Sequence, residues 1–140
     1  MSLVSYAAKL AIKPKGPVEL AIFDHIWQQT PVETVLAALM DAEVFYYAEK
    51  SGGAEAKPLV TQGNDGRPAM LVFTTRERAA GIAKQMPDPS AAPLATPFRD
   101  LLRWAPIELG LIVNLGTALA AEATSAQLDA LRRQAGIFRP

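Results

Sequence analysis

The stretch "TQGNDGRPAMLVFTTRERA" (Thr61–Ala79) decides how this 140-residue chain is read. It joins a glycine-spaced loop, an apolar run and a pair of arginines. It is therefore either a loop that cradles a phosphate or a hairpin that leads into a helix. A phosphate loop needs Gly-x-x-x-x-Gly-Lys-Ser/Thr between a strand and a helix. Here "GNDGRP" lies between two apolar runs, and Pro68 removes a backbone donor that such a cradle would use. Asn-Asp-Gly in that setting is strong turn chemistry, because glycine takes positive φ at little cost. The hairpin reading follows, with "PLVTQ" (Pro58–Gln62), a turn at Gly63–Gly66 and "PAMLVF" (Pro68–Phe73). The second arm is almost wholly apolar, as a central strand covered on both faces would be. "TTRE" then has the form of a capping box, with Thr74 as cap and Glu77 three residues on. A helix over about 75–85 is expected, with Ala79, Ile82 and Ala83 inward.

Outward from the hairpin, "VELAIFDHIWQQ" (Val18–Gln29) carries two apolar stripes at helical spacing: Val18, Ile22 and Ile26, then Leu20, Phe23 and Trp27. "TPVE" predicts a helix near 31–41, capped by Thr30, with Val32, Val35, Leu36, Leu39 and Met40 buried on a sheet. "EVFYY" (Glu43–Tyr47) reads as a strand, and "EKSGGAEAK" (Glu49–Lys57) as a flexible loop. "MPDPSAAP" (Met86–Pro93) reads as a linker. "PFRDLLRWA" places Phe98, Leu101, Leu102 and Ala105 at helical spacing. "LGLIVNLG" (Leu109–Gly116) is a buried strand, "ALAAEA" a short one, and Thr124 with Gln127 brackets a last capped helix. In that helix Arg132 and Arg133 suit the negative end of the dipole. The expected fold is α+β in layers: a mixed central sheet of four to five strands flanked by helices. A flexible arm over 1–16 precedes a single domain over 17–140.

Composition excludes several chemistries. Fourteen basic residues balance fourteen acidic ones, so nucleic-acid binding by bulk charge is not expected. There is no cysteine, which removes disulfides, thiolate nucleophiles and thiolate metal sites. His25 is the single histidine, so no multi-histidine metal site exists, and no cofactor is expected. Asp24 and His25 are helix neighbours about 100° apart and do not face each other. None of the serines sits in a nucleophile elbow. Lys9 interrupts the first apolar stretch, unlike a signal peptide, and the uncharged run around Asn114 is too short to span a bilayer. A soluble cytoplasmic protein, without nucleic-acid or membrane partners, is the expectation.

The candidate site residues are therefore polar or aromatic. Thr74, Arg76 and Arg78 start a helix, where free N–H groups favour anions. The competing reading is that Thr74 only caps the helix and both arginines are solvated. Phe45 and Tyr47 share one face of their strand and Tyr46 takes the other. These aromatics form either core or an interaction surface. Trp104 either closes its helix or lines a cleft.

The order "FYY", "DGRPAMLVFTTRERA", "LGLIVNLG" and a capped helix resembles the N-terminal domain of the SseB family, named for enhanced serine sensitivity. Asp65, Gly66, Phe73, Thr74, Asn114 and Gly116 carry the likeness over about residues 31–135. Leu115 stands where the family has proline after the asparagine, and the first strand ends Tyr-Tyr-Ala without its usual proline. The length leaves no room for the second domain some members carry. The resemblance implies a fold and no settled activity. Two functional expectations remain. The first is a non-catalytic module that binds protein through the aromatic strand or the Thr74/Asn114 end. The second is a binding protein or enzyme for a small anionic or amino-acid-like ligand, with Thr74, Arg76, Trp104 and Asn114 at its site. Oligomeric state is open, a homodimer included.

Overall fold

The computed structural model describes residues 3–48, 58–85 and 92–137. Its centre is the hairpin. Strand β2 (Val60–Gln62) pairs antiparallel with β3 (Pro68–Val72). Gly66 N–H donates to Gly63 C=O at 3.0 Å, and Gly63 N–H donates to Arg67 C=O at 2.8 Å. Asp65 Oδ1 accepts from Arg67 N–H, and Gly66 sits at φ +80°. This is a turn closed by a left-handed glycine, as such hairpin loops require.

β3 is central. Its other neighbour is β5 (Gly110–Val113), which runs parallel to it and pairs antiparallel with β6 (Ala121–Ala123). Met70 and Val72 face a core completed by α2 (Gly16–Trp27), α3 (Val32–Leu39), α5 (Phe98–Trp104) and α6 (Ser125–Ala135). Ala69, Leu71 and Phe73 face a second, smaller core closed by Ala79 of α4 (Arg76–Ala80), Ile82 and Tyr47. The mixed α+β fold expected from the sequence is present.

Five details differ from expectation, the first being that the helix expected over 75–85 is split into α4 (Arg76–Ala80) and a 3-10 turn at Ala83–Gln85, with Ala83 half-buried rather than inward. Residues 3–12, read as part of a loose arm, form helix α1 (Leu3–Ile12), which joins α2 through Lys13 at φ +56° and Gly16 at φ +82°. Strand β1 (Glu43–Tyr46) belongs to a separate two-stranded sheet with β4 (Leu94–Pro97), an element not foreseen beside the prolines. Phe45 bridges it to the end of β3, exchanging two 2.8 Å backbone bonds with Phe73, and a second bridge pairs Ala48 with Pro58. Pro31, not Thr30, is the N-cap of α3, and no side-chain cap forms there. Likewise Thr75, not Thr74, caps α4, accepting from Arg78 N–H at 3.1 Å. The Thr124–Gln127 capping box is fully formed. The loop at 49–57 and most of the 86–93 linker lie outside the described residues.

Candidate functional site

Polar groups gather at the C-terminal ends of the parallel pair β3 and β5. Glu19 is wholly buried, although it lies on the face of α2 that carries Val18, Ile22 and Phe23. A buried carboxylate needs donors. Its Oε1 accepts from Lys15 N–H at 2.9 Å and from Arg78 Nη2 at 3.0 Å. Its Oε2 accepts from Arg78 Nε at 3.1 Å and from Thr74 Oγ1 at 2.6 Å. Burial pushes the Glu19 carboxyl up, but the bonds from Arg78, Thr74 and the Lys15 backbone outweigh it and hold it below the ordinary glutamate value. The same bond to Glu19 raises the Arg78 guanidinium.

Asn114 completes the cluster. It is fully buried and left-handed, φ +58°, a conformation asparagine tolerates better than most residues. Its Oδ1 accepts from Thr74 N–H at 2.9 Å. Its Nδ2 donates to Thr74 Oγ1 at 3.0 Å and to Leu119 C=O at 3.1 Å. Thr74 thus links two buried side chains instead of capping its helix. The cluster ties α2, the end of β3 and the loop after β5 together, with the hydrogen-bonding capacity of Glu19 and Asn114 spent internally.

Beside the cluster opens a cleft of about 400 Å³, whose walls include Lys13, Lys15, Thr75, Glu77, Arg78 and Thr117. The ends of strands at a parallel pair are where open α/β sheets place ligands. Arg78 belongs to both, since its Nε–Nη2 edge faces Glu19 while the side chain stays 22 % exposed. The Glu77 carboxyl is lowered by a bond from its own backbone N–H and by the Thr75 hydroxyl. α4 is a helix of five residues, too short to supply an anion site from its N-terminus alone.

Of the residues expected at a site, Thr74 and Asn114 come together. Arg76 turns the other way, its guanidinium 5.0 Å from the centre of the Phe45 ring and its Nη1 3.4 Å from Pro93 C=O. Trp104 packs beside Tyr46, ring centroids 6.0 Å apart, at the end of α5. Of the aromatic strand, both tyrosines are buried. Tyr46 is 6 % and Tyr47 3 % exposed, and Tyr47 Oη donates to Ala79 C=O at 2.9 Å. Phe45 alone is half-buried. Arg78, read as solvated, is paired. His25 Nδ1 bonds Thr30 C=O at 2.6 Å, a structural contact. Among the described residues, no three His, Cys, Asp or Glu side chains could hold a metal, and no helix is long and apolar enough to cross a membrane.

This is a small α+β domain with a buried polar cluster around Glu19 and Asn114 and an open basic-sided cleft at one end of its sheet. It belongs to the SseB family: the model of the SseB protein N-terminal domain matches residues 20–130. The match begins one residue after Glu19 and contains Thr74, Arg78 and Asn114. No curated protein and no solved structure matches the chain.

Proposed function

We propose that the domain is a non-catalytic binding module that engages an acidic segment of a partner protein at the Thr74–Asn114 end of its sheet. The observation that carries this reading is the state of Glu19. It is the one buried carboxylate among the described residues, and every strong acceptor position on it is occupied. A carboxylate so held is a poor general base, because taking a proton means giving up charge-assisted bonds. The cluster thus serves as a rigid floor, and the cleft above it offers Lys13, Lys15 and Arg78 to a ligand. The burial of Tyr46 and Tyr47 favours the cleft over the aromatic strand as the contact surface.

The test is a photo-crosslinking scan in the native host. A photoreactive side chain at Gly81 or Thr117, beside the cleft, should capture a protein partner. The same group at the exposed positions Asp100 and Gln134, which do not line the cleft, should not. Adducts of equal yield at all four positions, or none at the cleft, would overturn the reading.

A further inference from the structure

We infer that the cleft binds a doubly charged oxyanion, the chemistry of a phosphate monoester, held by Lys13, Lys15 and Arg78. This rests on the reading of that end as the binding surface and names the group it takes. The ammonium groups of Lys13 and Lys15 are exposed, and neither has a hydrogen-bond or ion-pair partner among the described residues. Two ammonium groups without a hydrogen-bond or ion-pair partner among the described residues at one cleft match two negative charges, although Lys15 also acts on Glu77 and helps to lower its carboxyl. Lysine recognises phosphate as a point charge and imposes no planar geometry. Arg78 adds direction. Glu19 occupies its Nε–Nη2 edge, the edge best shaped for a planar carboxylate, and so fixes the guanidinium in place. Nη1 donates to no acceptor among the described residues. A rigid donor beside two mobile cations suits a tetrahedral dianion better than a second carboxylate. The volume of about 400 Å³ is that of a small-ligand site. Glu77 is the one acid on the cleft wall, and it opposes such a ligand.

Three probes at matched ionic strength separate the outcomes: sodium phosphate, sodium acetate, and a short Gly/Ser peptide with one phosphoserine. The readout is the backbone amide spectrum of the labelled full chain. Phosphate should move the amides of Lys15, Thr75, Arg78 and Thr117, while acetate leaves them in place. Lys13→Ala and Lys15→Ala, both at exposed positions, should each weaken binding roughly thirtyfold, the factor a unit charge contributes against a double charge at contact distance in water. Glu77→Gln should tighten it by a similar factor, a change that a merely structural role would not produce. A phosphopeptide that binds more tightly than phosphate assigns the group to a partner's side chain. Equal affinity assigns it to a free phosphate compound. Acetate binding as well as phosphate, or Glu77→Gln weakening the interaction, would overturn the inference. Cleft adducts in the crosslinking scan without phosphate binding would sink this inference and leave the binding reading standing. Phosphate binding without adducts would do the reverse.

Discussion

Replacing Arg78 by alanine strands a charge. Glu19 is fully buried and the Arg78 side chain is 22 % exposed, so the pair behaves as a buried one. Breaking such a pair by removing one partner costs about 3–5 kcal/mol. Thr74 Oγ1 and Lys15 N–H remain on the carboxylate, which places Arg78→Ala at the lower end, about 3 kcal/mol. For a domain of this size that lowers Tm by about 10 °C. Chemical denaturation at pH 7 is the assay, with Arg103→Ala as control. Arg103 pairs with Asp100 while both side chains are more than half exposed, so that loss should stay below about 0.5 kcal/mol. The pH dependence has a definite sign. In the wild type the Glu19 carboxyl is depressed by folding, so its contribution is present above the unfolded value and is lost as pH falls through the folded one. In Arg78→Ala burial acts with fewer opposing bonds, Glu19 protonates more readily, and the deficit relative to wild type narrows as the solution is acidified. The double variant Glu19→Leu/Arg78→Met, which removes both charges, should recover most of the loss. An Arg78→Ala cost no larger than that of Arg103→Ala, or a deficit that widens in acid, would refute the reasoning.

Other substitutions separate neighbouring roles. Thr75→Ala should cost about 1 kcal/mol as a lost helix cap, whereas Thr74→Ala should cost about 1–3 kcal/mol, because it leaves Glu19 and Asn114 short of partners; equal urea midpoints for the two would count against the distinction. Asn114→Gly keeps the left-handed backbone and loses only the side-chain bonds, so it should melt higher than Asn114→Ala, which carries the φ +58° strain as well. Gly110→Ala would set its Cβ 2.8 Å from Ala123 C=O, a backbone atom of the adjacent strand, and should destabilise by about 1–3 kcal/mol in thermal melts.

The parts of the fold set by short-range chemistry were legible in the sequence. The hairpin depends on residues 63–68 alone, the central strand on a nearly unbroken apolar run, and the last capping box on Thr124 and Gln127. The cap assignments at Thr30 and Thr74 slipped by one residue. Pro31 displaced the first, and adjacent threonines at 74 and 75 disguised the second. β4 was missed because its partner β1 lies about fifty residues away and local propensity opposes a strand between prolines. Thr74 and Asn114 were legible as site residues and Arg78 as a candidate anion contact, but Glu19 and its pairing with Arg78 were not. A signal for Glu19 existed. It falls three and four residues before Ile22 and Phe23, on the buried stripe, and a carboxylate there demands a cation from elsewhere in the fold. Which arginine answers it is a tertiary fact: Arg78 and Arg76 look alike in the chain, yet one faces Glu19 and the other Phe45.

Carboxyl-carbon NMR titration of Glu19 tests most directly whether this cluster is a rigid floor under a binding cleft. The donors from Arg78, Thr74 and Lys15 require Glu19 to titrate below the ordinary glutamate value, and the same resonance in Arg78→Ala to titrate higher. A wild-type Glu19 that titrates above the ordinary value would contradict the account, because a carboxyl poised to exchange a proton near neutrality is the mark of an acid–base group rather than a clamp.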